Sequence, residues 1–219
     1  MLFADRFEAG LLLASKLGEF RNRDDVVVLA LPRGGVPVGY EVANALHVPL
    51  DVFVVRKLGV PGQEELAMGA LASGGIILVN RDVVEGLGIS QQTIDAAGSR
   101  EQHELERRER EYRDGRSPIE VQQRTVILVD DGLATGSSMR VAATALRTKA
   151  PAQIVVAVPV ASPSTCREFE GEVERVICAV TPEPFWAVGQ WYRNFSQTTD
   201  EEVRELLGRS ANLASLKAG

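Results

Sequence analysis

Five short runs of branched apolar residues recur along the chain: 26–31, 50–55, 126–129, 153–160 and 175–180. Several of them are apolar without interruption, which is how a strand buried on both faces reads. Helix-period stretches separate them, over 38–46, over 139–149 and from a start near Ser162 to Thr165. Strands alternating with helices predict an α/β fold, doubly wound, with a mainly parallel sheet and helices on both faces. In such folds ligands gather beyond the carboxyl ends of the strands.

The rest of the chain is patterned differently. Phe3, Phe7, Leu11 and Leu12 suggest an amphipathic N-terminal helix. Residues 75–79 read as a strand, followed by helices over 82–87 and 90–113, with Ser90 as the N-cap of the second. Residues 100–116 carry twelve charged side chains of both signs, many at i,i+4 spacing. A solvated helix face is the simplest reading, with a hood over the site or a dimer contact as the others. Residues 115–123 return the chain to the core, and 200–207 form a closing helix. The expected organisation is one domain over 1–219 with a helical insertion over 80–124.

Charge and composition narrow the possible partners. A net charge of −6 and a pI near 5.1 make nucleic acid a poor fit. No segment is apolar for long enough to span a membrane, and the N-terminus lacks the basic start and apolar run of a signal peptide. A cytoplasmic protein is expected. Cys166 and Cys178 form neither a framework nor a CxxC pair and are read as reduced thiols. His47 and His103 have no spacing that makes a metal site.

The chemistry concentrates in the apolar run that ends in Asp130 and Asp131 and continues as Gly132-Leu133-Ala134-Thr135-Gly136-Ser137-Ser138. A strand running into a helix brings unpaired N–H groups and partial positive charge to the sheet edge, where a phosphate fits. Gly136 allows close backbone approach, and Thr135, Ser137 and Ser138 add hydroxyl donors. Two carboxylates beside a phosphate call for hydroxyls that donate to them, or for a divalent cation. A phosphorylated ribose supplies both the hydroxyls and the anion. Neither GxxxxGK[ST] nor GxGxxG occurs, and a plain βα junction is the bland alternative.

A second run, 26–31, leads through Pro32-Arg33-Gly34-Gly35-Val36-Pro37 into a helix, repeating the strand, tight loop, helix plan. By itself it could be an ordinary turn. A third, 50–55, ends in Arg56 and Lys57 ahead of a glycine-bearing stretch, 58–69, suited to a mobile lid. Basic residues at a strand end near two phosphate loops suit a diphosphate clamp. Late in the chain, Phe185, Trp186, Trp191, Tyr192 and Phe195 cluster amid Pro182, Pro184 and Gly189. They read either as a wall that stacks on a flat heterocycle or as packing of the C-terminal segment onto the core or a second subunit.

Together these segments resemble the type I phosphoribosyltransferases, and within them a group whose acceptor is not established. The acidic run is similar to the signature that binds phosphoribosyl pyrophosphate (PRPP). The resemblance implies that Asp130 and Asp131 take the ribose 2′- and 3′-hydroxyls and that Ala134, Thr135, Gly136, Ser137 and Ser138 hold the 5′-phosphate. It implies that Arg33, Gly34 and Gly35 contact the diphosphate, with a cis peptide between Pro32 and Arg33. Gly132 departs from the family, which usually has a branched apolar residue there. Ala134 replaces the aspartate of hypoxanthine-type enzymes, so an acid/base role at that position is unavailable.

Catalysis would fall to Arg56, Lys57 and Glu65, with Glu64 left open beside Glu65 and solvation of the lid surface the plainer reading of either. Phe185, Trp186 and Trp191 are the candidates for base binding. The implied activity is Mg2+-dependent transfer of the phosphoribosyl group from PRPP to a nitrogen acceptor, a nucleobase, with release of diphosphate, as in nucleobase salvage. Mg2+ would be held mainly through the substrate, with Asp130 and Asp131 open as further contacts. A homodimer is common among the proteins it resembles. The alternatives are a non-catalytic PRPP-binding regulator and an interaction protein with an unused site.

Overall fold

A computed structural model describes residues 2–217. Its main sheet is built from β1 (Val26–Ala30), β2 (Leu50–Val52), β6 (Thr125–Val129), β7 (Gln153–Val160) and β8 (Arg175–Val180). All neighbours are parallel, in the order β2-β1-β6-β7-β8. The connection after β1 runs outward to β2, while that after β6 runs the other way to β7. The carboxyl ends of β1 and β6 therefore flank a switch point, where the loops diverge and leave a crevice.

Alternate residues of these strands feed two cores. Val26, Val28, Ala30, Ile127, Val129, Val155 and Ala157 pack on one face, beneath α1 (Arg6–Ser15), α2 (Gly35–Leu46) and α7 (Asp200–Lys217). Val27, Leu29, Val126, Leu128, Ile154, Val156 and Val158 pack on the other, beneath α5 (Ser137–Arg147) and α6 (Pro163–Phe169). This is the doubly wound arrangement that the continuous apolar runs require.

Four local expectations are corrected. The 50–55 run is not one strand: β2 stops at Val52, and Val55 opens β3 (Val55–Val60) in a separate antiparallel sheet with β4 (Gln63–Ala72) and β5 (Ile76–Val79). The break is held by Phe53, whose N–H donates to Ala30, and by Val54, whose N–H donates to the Ser73 hydroxyl at 2.7 Å. Second, 58–69 is a β-hairpin rather than an irregular loop. Its glycines serve close strand approach: a Cβ on Gly59 would stand 2.6 Å from the Glu64 carbonyl, and one on Gly69 2.5 Å from that of Leu78. Only Gly62, at the turn, has the left-handed φ of +79° that a side chain disfavours.

Third, the buried face of α1 is Ala9, Gly10, Leu13 and Ala14, whereas Leu11 is exposed and Phe3 precedes the helix. Gly10 sets the spacing, since a Cβ there would lie 2.8 Å from the Val38 carbonyl of α2. Fourth, Cys166 and Cys178 are joined in a disulfide between α6 and β8. Their separation in sequence hid a pairing that the packing of α6 on β8 creates.

The helices over the antiparallel sheet are α3 (Arg81–Leu87) and α4 (Gln91–Arg113), the latter capped by Ser90, whose hydroxyl accepts from the Thr93 N–H. Only part of α4 is solvated. Ile94, Ala97, Leu105 and Tyr112 are buried together with Arg113, and most of its other charges occupy the outer face. α7 extends ten residues beyond the expected 200–207 and buries Val203, Leu206 and Leu207. Among the described residues no helix is long and apolar enough to cross a membrane.

Candidate functional site

The loop after β1 lies directly on the carboxylates that end β6. Leu31 donates its N–H to the Val129 carbonyl, and the chain then turns through Pro32–Arg33, a cis peptide as expected. A Cβ on Gly34 would overlap Asp131 Oδ2, and one on Gly35 would stand 2.8 Å from the Val129 carbonyl. Two glycines are therefore demanded by space, and they bring Arg33, Gly34 and Gly35 together with Asp130 and Asp131. Arg33 faces the start of α7, its guanidinium 3.9 Å from Asp200, which also accepts from the Tyr112 hydroxyl.

Asp130 Oδ1 accepts the backbone N–H of Asp131 at 2.8 Å, and Asp131 Oδ2 accepts from Arg6 Nε at 2.8 Å. Burial pushes both carboxyls above the usual range. The neighbouring Asp131 charge adds to the shift of Asp130, while Arg6 opposes that of Asp131. A carboxylate pair of this kind can accept from a group that donates to it, as a diol does.

Next comes the loop 134–138, opening α5. Gly136, in the left-handed region at φ +70°, precedes the first turn, and a Cβ there would stand 2.5 Å from the Phe169 ring. Conformation and space thus both require glycine. The Thr165 hydroxyl braces the loop from α6 by donating to the Ala134 carbonyl at 2.7 Å. Thr135 and Ser137 share a hydroxyl contact of 3.0 Å, and with Ala134 and Ser138 they are exposed. What results is an open cup of hydroxyls and helix N–H groups suited to a phosphate.

Arg56 and Lys57 are adjacent on β3 and so face opposite ways. Arg56 pairs with Glu101 of α4 at 2.9 and 2.5 Å. Lys57 lies 3.1 Å from the exposed Glu65 carboxylate and lines a groove of about 430 Å³ with Ala67, Gly69, Leu78, Ser137 and Ser138. Of the two cations, Lys57 is thus brought beside the hydroxyl cup. Glu64 accepts the Gly62 N–H at the hairpin turn.

The late aromatics divide. Phe185 and Trp191 stack with centroids 6.4 Å apart, and Tyr192 packs between Phe3 and Phe195. Trp186 is 77% exposed and stands apart. The indole N–H of Trp191 is buried and, among the described residues, has no partner. Gly132 is explained here as well, since a Cβ at that position would sit 2.6 Å from a Val188 methyl. Val188 supplies the apolar bulk from the other side.

Two residues at the site were not foreseen. Arg6 reaches Asp131 from the N-terminal helix, and Tyr192 donates its hydroxyl to the Asp131 carbonyl at 2.6 Å. Burial beside Asp131 pushes the Tyr192 hydroxyl up, so it stays protonated as a donor. Arg6 lies outside every local motif; Tyr192 stood in the aromatic run, but its hydroxyl role depends on tertiary contact. Among the described residues no group of three or more His, Cys, Asp or Glu side chains gathers to hold a metal ion.

Comparison with known proteins agrees with this architecture. Residues 7–192 match the phosphoribosyl transferase domain. Two Mycobacterium tuberculosis proteins, from strains CDC 1551 and H37Rv and each named "Putative phosphoribosyl transferase", are 46% identical over 95% of this chain. The chain spans 47% of their length, about half of the curated relatives it matches. The crystal structure of TT1426 from Thermus thermophilus superposes with a TM-score of 0.81 at 40% identity, covering 94% of this chain and 98% of that one. With the parallel sheet, the glycine loop and the acidic pair all in place, the chain belongs to the phosphoribosyl transferase family.

Proposed function

We propose that the protein transfers the 5-phosphoribosyl group of PRPP to a nitrogen acceptor, a nucleobase, and releases diphosphate. One observation carries this reading: glycines at 34 and 35 let a diphosphate-type loop lie directly against the Asp130–Asp131 pair. A phosphate cup, a diol acceptor and a second anion loop then share one crevice, matching the three polar parts of PRPP.

In this reading Asp130 and Asp131 accept the ribose hydroxyls, and residues 134–138 with the first turn of α5 hold the 5′-phosphate. Held at both ends, the sugar presents C1 to the acceptor nitrogen, so little orientational entropy remains to be lost in the reaction. As the bond to diphosphate breaks, negative charge grows on the leaving group. Arg33, the backbone of residues 33–35 and Lys57 stabilise it with donors already in place. Mg2+ would enter with PRPP on diphosphate oxygens and water, beside the acidic pair, and would neutralise part of that charge. The β3–β4 hairpin, with Glu65 on its exposed part, is suited to fold over the crevice and exclude water. The Phe185–Trp191 stack offers a flat apolar wall for a heterocycle. Residues 1–219 act as one domain in this scheme, in cytoplasmic nucleobase salvage and as a homodimer.

A second reading, a regulator that binds PRPP without transfer, is favoured by the pairing of both Arg56 and Lys57 with carboxylates of their own chain. Incubation with PRPP, Mg2+ and a panel of nucleobases and amines separates the two. Diphosphate release that depends on one acceptor is the expected result; PRPP binding with no release for any acceptor supports the regulator, and no PRPP binding overturns both.

A further inference from the structure

We propose that Arg6 is a positioning residue of the phosphoribosyl site, fixing the Asp131 carboxylate for the ribose and tying the C-terminal aromatic segment to it. The inference rests on the function proposed above. Arg6 is the first residue of α1, where a cation opposes the helix dipole. Helix stability therefore does not account for it. What holds it there is a set of contacts aimed at the crevice.

Its Nε donates to Asp131 Oδ2 at 2.8 Å, and Nη1 donates to the Ser196 carbonyl at 2.7 Å. The guanidinium lies 4.0 Å from the centre of the Phe195 ring and 6.0 Å from that of Tyr192. Only 11% of the Arg6 side chain and 15% of the Asp131 side chain meet solvent, so the pair is shielded from screening. Arg6 Nε is also 3.3 Å from the point where a Cβ on Gly34 would stand, which sets it against the diphosphate-type loop.

The geometry divides the labour within one carboxylate. Arg6 engages Oδ2 and leaves Oδ1 as the acceptor for a ribose hydroxyl. The same guanidinium bridges to Ser196, so a shift of the 191–196 segment moves Asp131 with it. Tyr192, bonded to the Asp131 carbonyl, provides the second tie. The N-terminal segment does not depend on Arg6 for its place. Phe3 exchanges backbone hydrogen bonds with Trp191 and Arg193, and Ala9, Leu13 and Ala14 bury the helix.

The test compares wild type, Arg6→Met and Arg6→Lys by calorimetric titration with PRPP and Mg2+, with a thermal melt of each. Loss of the charge-assisted bond is expected to weaken binding by about tenfold or more in Arg6→Met. Arg6→Lys keeps the charge beside Asp131 but not the fork that bridges to Ser196, so it should recover part of the binding and lie between Arg6→Met and wild type. Wild-type affinity in Arg6→Met overturns the inference, as does equal weakening in both variants with equal loss of melting temperature, the mark of a merely structural role. A wild type that fails to bind PRPP overturns the proposed function itself, and is told apart because it fails before any variant is made.

Discussion

The carboxylate of Asp131 occupies the space that a Cβ on Gly34 would need. Alanine at position 34 must push apart either the β1 loop or the end of β6, and both carry groups proposed to bind PRPP. Gly34→Ala is expected to cost about 1–3 kcal/mol of stability, the usual penalty of overpacking. PRPP affinity should fall as well. Gly18→Ala, with nothing near its Cβ, is the control and should stay within about 0.5 kcal/mol of wild type. Urea unfolding and PRPP titration of both variants check this, and a neutral Gly34→Ala would contradict the close packing.

Asp130 leads to a pH prediction of definite sign. Burial and the Asp131 charge raise its folded pKa above the unfolded value. Between those two values the folded state holds the extra proton, so stability is present at low pH and is lost as pH rises from about 4 through the folded pKa. Asp130→Asn removes the buried titrating group while its carbonyl can still accept the Asp131 N–H. The variant should gain about 1 kcal/mol at pH 7 and show a flatter stability profile, while PRPP binding falls. Chemical denaturation across pH 4 to 8 measures it, and a less stable Asn variant at pH 7 would refute the assignment.

The parts of the site that were readable from the chain are those whose chemistry is local. The loops 32–35 and 134–138 announce themselves because strand, glycine and helix follow one another, and the cis peptide fell where the resemblance put it. The hairpin was missed for a physical reason. Gly59 and Gly69 look like flexibility in one dimension, but across the sheet they make room for a neighbouring carbonyl. Arg6 was missed because its partner lies 125 residues away, beyond the reach of any periodicity. The Cys166–Cys178 pairing likewise exists only once α6 packs on β8.

The Arg56–Lys57 pair should separate into a structural and a binding residue. Arg56 is half-buried against Glu101 on the α4 side, whereas Lys57 lines the groove with Ser137 and Ser138. Arg56→Met is expected to cost about 1 kcal/mol of stability through the lost ion pair and to leave PRPP affinity within about threefold. Lys57→Met should change stability by less than about 0.5 kcal/mol, because its Glu65 partner is fully exposed, yet weaken PRPP binding by about tenfold. Thermal melts paired with calorimetry decide it. The reverse pattern would mean that Arg56 leaves Glu101 when substrate arrives.

Asp51 and Arg113 form a buried ion pair away from the crevice. Arg113 Nε donates to both carboxylate oxygens of Asp51, at 2.9 and 3.1 Å, and its Nη2 donates to the Val52 carbonyl. Asp51 also accepts the Ile119 N–H at 3.0 Å, and both members of the ion pair are buried. The pair therefore joins the end of α4 and the returning segment 115–123 to the edge strand β2. Removing one partner strands a charge without water, so Arg113→Met should cost about 3–5 kcal/mol. Replacing both, as Asp51→Asn with Arg113→Met, removes the Asp51 charge, leaves only Glu109, the other carboxylate on Arg113 at 3.3 Å, and should cost less than the sum of the two single changes. A double-mutant cycle by urea unfolding measures the coupling. Strict additivity would show that the two side chains contribute through separate contacts, leaving α4 to be held on the core by its buried Leu105 and Tyr112 instead.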